Sequence, residues 1–505
     1  MTVLLIVIAY ITLLFAISRW AGKHDDNDTF YRGRGRSPWP LVAFGMIGAS
    51  ISGVTFVSVP GMVMASDMTY MQTCIGFVIG YAVVAFILLP VYYRLHLTTI
   101  YSYLGIRLGP RSYKTGAAFF ILSKMAGATV RFYVVCIILQ HFVMDRVGIP
   151  FPVTATLLVT LIWLYTHQGG IRTIVYTDSL QTLCLFTALV FIIIELADNM
   201  ALTPAEAVDT IHQSGYSRMF VFDDWISKQN FWKQFLSGVF IVIVMTGLDQ
   251  DMMQKNLTCR SLGDAQKDMC SYGLAFVPAN LLFLSLGVLL VVFYQQNGIT
   301  LPSSGDELLP GYVTLTANPS PITLPLVGEI EGGYSSYTTV LFTLGIVAAA
   351  FSSADSALTS LTTSVSIDIL GRSDDERLRR RVHIYICILF VTGILAFNAI
   401  NTTSAIDAIY ILCGYTYGPL LGLFAYGILT RREADDRLVP YVCVASPLLC
   451  YALNDVATRF AAYHFGYELL MLNGLLTFTG LLLTSRHIQQ TTQHETTESN
   501  HLIQS

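Results

Sequence analysis

The sequence predicts an all-α integral membrane protein with about 13 transmembrane helices, on three observations. Hydrophobic residues make up 54% of the 505 residues and charged residues 12%, against about 25% charged in a soluble chain. Apolar runs near the roughly 20 residues needed to cross a bilayer recur along nearly the whole length. Lysine and arginine gather in alternate connecting segments. In lipid every backbone polar group must be paired internally, so long apolar runs mean helices. The short alternating segments of a membrane β-barrel are not seen.

The expected spans are 2–18, 40–65, 71–93, 116–143, 151–167, 173–197, 234–250, 270–295, 338–368, 382–399, 405–429, 438–455 and 467–484. The first is read as a helix, not a signal peptide, because its positive charges, Arg19 and Lys23, follow the apolar core. With the N-terminus outside and strict alternation, about 22 of the 29 Lys and Arg fall on the inner side, and the C-terminus is inside. Lys255, Arg260 and Lys267 count among the inner charges. Two basic residues, Lys124 and Arg131, lie within a span. The long outer loops at about 198–233 and 296–337 suit lids over an outer vestibule, and the polar tail from about 485 suits disorder.

Net charge is −4, and no basic patch points to nucleic acid. The nine cysteines show no CxxC spacing; Cys74, Cys136, Cys184 and Cys413 sit in apolar runs and read as packing residues. No GxxxxGK[ST] phosphate loop is present, which argues against an ATP-driven pump. None of the histidines, His167 included, pairs by spacing with a nucleophile, so an enzyme is not expected.

Polar residues inside spans carry the functional signal. In the second span Gly48, Ser50, Ser52, Gly53 and Thr55 cluster, and Pro60-Gly61 follow. Gly and Ser weaken a helix locally. The cluster is either an unwound segment whose carbonyls face an ion or a close helix contact through small residues. The span at 338–368 holds Ser352, Ser353, Asp355 and Ser356 about one turn apart. Hydroxyl bonds back to the helix would explain the serines, but not a carboxylate at membrane depth, which points to ion coordination. Asp178, just after Gly169-Gly170, is either a cation ligand or a helix cap. Lys124 and Arg131 share one helix face; they read as an anchor for an anionic substrate or as a buried ion pair locking two helices.

With these residues in view, the chain resembles the sodium/solute symporter family over about residues 1–485. The resemblance rests on Ser52-Gly53-Val54-Thr55 through Val59-Pro60-Gly61, and on Gly169-Gly170 through Tyr176-Thr177-Asp178 with Gln181. It rests further on Thr246-Gly247-Leu248-Asp249-Gln250 with Gln254-Lys255, on Ala349, Ser352 and Ser353 with Asp368, and on Gly418-Pro419. It implies a LeuT-type fold of two inverted five-helix repeats. They are placed at 40–197 and 234–429, after an extra helix and inner loop at 1–39. A periplasmic loop at 198–233 separates them, and two further helices at 430–484 and the tail at 485–505 follow.

The resemblance also implies a sodium site formed by the carbonyls of Gly48, Ile51 and Ala349 and the hydroxyls of Ser352 and Ser353. A second sodium between Asp178, Asp355 and Ser356 is implied by some members, with Asp355 standing where others often carry a small residue. Arg131, 47 residues before Asp178, resembles the arginine that sialic-acid carriers use for the carboxylate. Ser50, Ser52, Thr55 and Gln72 complete the expected substrate site. The stretch Ile241–Met245 is apolar, which weakens a simple-hexose reading. The expectation is sodium-coupled import of a small organic anion, a sialic acid first, across a bacterial inner membrane. The alternatives are a neutral sugar or other nutrient, or proton coupling. Sodium ions, the substrate and lipid are the expected partners, and a monomer is assumed.

Overall fold

The computed structural model describes residues 2–21, 26–167, 169–317, 323–324, 328–329, 335–400, 412–461, 463 and 465–486. Part of the expected span 405–429, most of the expected polar tail and Lys23 lie outside them. Apart from two pairs of two-residue strands, the described regular structure is helical. Among the described residues seven helices are long and apolar enough to cross a membrane, or nine spans if each of two helix pairs bent at a break is taken as one. Four shorter apolar helices accompany them.

We number the principal helices in chain order. The first four are α1 (Thr2–Ala21), α2 (Trp39–Ser50), α3 (Gly53–Ser66) and α4 (Tyr70–Arg94). Next come α5 (Pro110–Leu139), α6 (Phe151–Thr166) and α7 (Gly170–Asn199). The second half begins with α8 (Phe231–Gly247), α9 (Gln250–Asn256) and α10 (Leu262–Gln296). It continues with α11 (Ser335–Ser364), α12 (Glu376–Ile400) and α13 (Gly418–Leu429), and ends with α14 (Val439–Ala461) and α15 (Leu469–Thr484).

The expected span 40–65 is two helices, α2 and α3, meeting at 60°. The helix stops because Ile51 leaves helical geometry at φ −80°, ψ 83°, and Ser52 turns extended and caps α3. The second break was not foreseen. The expected span 234–250 continues to Asn256 as α8 and α9, bent by 69°. Gly247 and Leu248 end the first arm, and Asp249 caps the second by accepting from the Asp251 N–H at 2.9 Å. A carboxylate at an N-cap satisfies a helix-end donor that would otherwise be orphaned.

Helix α11 is the hub. It packs against α2, α3, α5, α7, α9 and α12, and 78% of its apolar window is buried, against 22% for α14. The serines, threonines and aspartate from Thr338 to Ser364 therefore face protein, not lipid. The α4–α8 crossing is equally close: a Cβ on Gly76 would stand 2.1 Å from the Phe235 carbonyl. Small residues that let backbones meet are a common device of membrane helices. Gly76→Val forces these helices apart and is expected to cost at least about 1–3 kcal/mol, seen as a lowered thermal midpoint in detergent.

The loop after α7 is tied down. It carries a helix, Pro204–Gln213, opened by a Thr203–Glu206 capping box, and it returns to the start of α4, where Met68 N–H donates to the Arg218 carbonyl at 3.1 Å.

Candidate functional site

A cavity opens where the two breaks face each other, between α2–α3, α5, α8–α9, α10 and α11. The first break supplies Ser50, Ser52 and Thr55, α5 supplies Lys124 and Arg131, and α11 supplies Ser353. Ile241, Val242 and Met245 form an apolar wall, and Tyr70, Phe77 and Phe276 add aromatic surface. Tyr272 and Ser50 share a short hydrogen bond, and the Tyr81 hydroxyl donates to Tyr272 at 2.7 Å.

Local backbone geometry frees carbonyls at the first break. A continuous helix would give the Gly48 carbonyl a donor from residue 52. Here the Ser52 N–H turns to the Ser50 carbonyl at 3.1 Å instead. Thr55 N–H likewise turns to Ser52 Oγ, at 3.5 Å, leaving the Ile51 carbonyl. From the facing helix, Ser353 Oγ donates to the Ala49 carbonyl at 3.3 Å, and Ala349 is buried one turn away. The break is held against α7 as well, since a Cβ on Gly48 would fall 2.0 Å from Thr182 Oγ1. At this point the Ser353 hydroxyl of α11 meets a backbone carbonyl of the first break, and both are neutral oxygens of the kind a hard cation takes.

Just behind this point the acidic residues are arranged differently from expectation. Asp178, 1% exposed, accepts from Ser352 Oγ at 2.7 Å and pairs with Lys255 Nζ at 2.8 Å. It is therefore neither a helix cap nor a free carboxylate. Asp355, fully buried, accepts from the Tyr165 hydroxyl at 2.7 Å and from Ser356 Oγ at 3.2 Å. Lys255 was read from the sequence as an inner-loop charge. It is instead 1% exposed, because α9 carries it onward past the break into the bundle.

The two basic residues of α5 separate into two roles. Lys124 forms the buried ion pair, 2.6 Å from Asp251 and 3.3 Å from Asp249, and so ties α5 to the second break. Asp249 also accepts from the Tyr417 hydroxyl at 2.6 Å. Arg131, half-buried, lines the cavity and pairs with no carboxylate among the described residues.

Of the expected substrate residues, Ser50, Ser52, Thr55 and Arg131 share the cavity, and Gln72 does not. Gln72 is fully buried and holds the loop after α7: its amide donates to the carbonyls of Thr69 and Gln229, and its oxygen accepts from Val221 N–H. Sequence reasoning missed Asp251, Tyr272, Tyr81 and Tyr417 as cavity residues.

This architecture has clear counterparts. A solved structure of a substrate-bound, outward-open Na+-coupled sialic acid symporter matches with a TM-score of 0.79 at 21% identity, covering 97% of this chain and 99% of its own. A closed structure of Mhp1, a nucleobase-cation-symport-1 family transporter, matches with a TM-score of 0.56 at 15% identity, covering 91% and 94%. These likenesses show a LeuT-like fold. In sequence, the sodium/sialic acid symporter SiaT of Proteus mirabilis is 25% identical over 87% of each chain. The sodium/sialic acid symporter NanT of Aliivibrio fischeri is 24% identical over 87% of this chain and 86% of its own. The human sodium/iodide cotransporter is 23% identical over 81% of this chain and 62% of its own. The model of the Sodium:solute symporter family matches residues 30–435. The chain belongs to the sodium:solute symporter family, and it is a multi-pass, sodium-coupled transporter, not an enzyme.

Proposed function

We propose that this protein imports a small organic anion, a sialic acid first, together with sodium, across a bacterial inner membrane. The observation that carries the substrate class is Arg131: a guanidinium lining the central cavity with no carboxylate partner among the described residues. A planar fork of donors in such a place suits a carboxylate held bidentately. The hydroxyls of Ser50, Ser52 and Thr55 suit the polyol part of an acidic sugar, and the apolar wall suits its ring face. The sialic acid transport named for the relatives in Proteus mirabilis and Aliivibrio fischeri supports the same choice.

Sodium sits, in this reading, on the carbonyls of Gly48, Ile51 and Ala349 and the hydroxyls of Ser352 and Ser353. It pins the first break against α11 and so completes the wall that carries Ser50, Ser52 and Thr55. A cation that binds the substrate-ready state more tightly must raise substrate affinity, and the reverse holds equally. The helices then rock as alternating access requires. The four shorter apolar helices coincide with expected spans, which supports 13 spans with the N-terminus outside and the C-terminus inside. The two bent spans, α2–α3 and α8–α9, stand near the starts of the 40–197 and 234–429 repeats, as an inverted-repeat plan requires.

A thermal-shift panel on purified protein tests the reading. A sialic acid should raise the melting midpoint when sodium is present and not when potassium replaces it. Stabilisation by neutral hexoses and not by sialic acid would move the substrate to the neutral-sugar class.

A further inference from the structure

We propose that Lys255 is a tethered cation that fills the place of a second sodium, so that this chain binds one sodium per transport cycle. The inference rests on the sodium reading above and sharpens it. The sequence led to the expectation of a second ion between Asp178, Asp355 and Ser356, and the geometry there does not suit a mobile ion. Asp178 Oδ1 accepts from Ser352, and Oδ2, which takes no hydrogen bond among the described residues, stands in ion-pair contact 2.8 Å from the Lys255 ammonium. Acid and base are each 1% exposed, so water contributes little screening. Ser356 Oγ is turned onto Asp355, whose other oxygen is taken by Tyr165. A sodium entering this cluster would have to displace an ammonium that cannot diffuse away, or share its carboxylate at close range.

The fold delivers that ammonium on purpose-shaped backbone. The bend after Gly247 lets the short arm α9 pack against α2, α7 and α11, the three helices around Asp178 and Ser352. Gln254, beside Lys255, is itself locked, donating to the Tyr31 carbonyl at 3.0 Å and Thr363 Oγ1 at 3.1 Å. The first sodium position, by contrast, presents only neutral oxygens. One position is left for a mobile cation, and the other is satisfied by the chain.

A consequence follows for charge. One sodium carried with one monocarboxylate anion moves no net charge, so uptake should not respond to membrane potential at fixed sodium gradient. Two sodiums per anion would move one positive charge.

Equilibrium binding of radiosodium to the purified protein tests the proposal without any substrate. Wild type should bind one sodium per chain at saturation. Two per chain would overturn the proposal while leaving the sodium-symport reading intact, and none would overturn both. Lys255→Met should gain a second bound sodium, because Asp178 is then bare; a count that stays at one would overturn the role given to Lys255. If that variant does not fold, Lys255→Met combined with Asp178→Asn removes both charges together and should again bind one. Two sodiums in the double variant would overturn the assignment.

Discussion

Arg131→Ala abolishes transport of the anionic substrate while leaving sodium binding in place. Removing one partner of a desolvated charge pair costs at least about 2 kcal/mol, which is roughly 30-fold or more in affinity. Lys124 cannot substitute, because Asp249 and Asp251 already hold it. Lysine in place of Arg131 would keep the charge but lose the planar fork, so Arg131→Lys should recover only part of the affinity. Uptake of labelled sialic acid and radiosodium binding, measured on the same preparations, separate substrate loss from misfolding. Unchanged uptake in Arg131→Ala would remove the anion anchor.

Ser352→Ala raises the sodium concentration needed for half-maximal uptake by roughly 10-fold or more. Bonds to a charged partner are worth about 1.5–3 kcal/mol, and about 1.4 kcal/mol is tenfold. The Ser352 hydroxyl also supports Asp178, so some loss of thermal stability accompanies the effect. Among the described residues Ser353 bonds to the Ala49 carbonyl and to no carboxylate. Ser353→Ala should therefore weaken sodium dependence with a smaller loss of stability. An unchanged sodium response in Ser352→Ala would contradict the ion-site assignment.

Much of this site is legible in the sequence because its signals are local. The Gly48–Thr55 cluster marks the first break, since glycine and serine weaken a helix locally, whereas Pro60 lies inside α3 and does not break it. Ser352, Ser353 and Asp355 stand out because a polar run within a long apolar stretch is costly. Arg131 stands out for the same reason. What the sequence hides is pairing across long separations. Lys124 and its partner Asp249 are 125 residues apart, and spacing along α5 alone could not tell which of its two basic residues was neutralised.

The arm α9 was misread for a different reason. It has only 7 residues, two of them charged, so apolar-window reasoning ends the span before it and assigns Lys255 to solvent. Only the bend at Gly247–Asp249 turns that arm into the bundle. Its position along the chain places Gln72 near the first break, whereas its amide is turned to the loop around Val221 and Gln229 and holds it.

Sodium-driven entry of an organic anion through this cavity is the step on which the rest depends. Uptake of labelled sialic acid into proteoliposomes, with an inward sodium gradient and a protonophore present, tests it most directly. Accumulation above the external level is the expected result, lost when sodium is equal on both sides and lost in Arg131→Ala. Accumulation that follows an imposed proton gradient in the absence of sodium, and collapses with the protonophore, would contradict it.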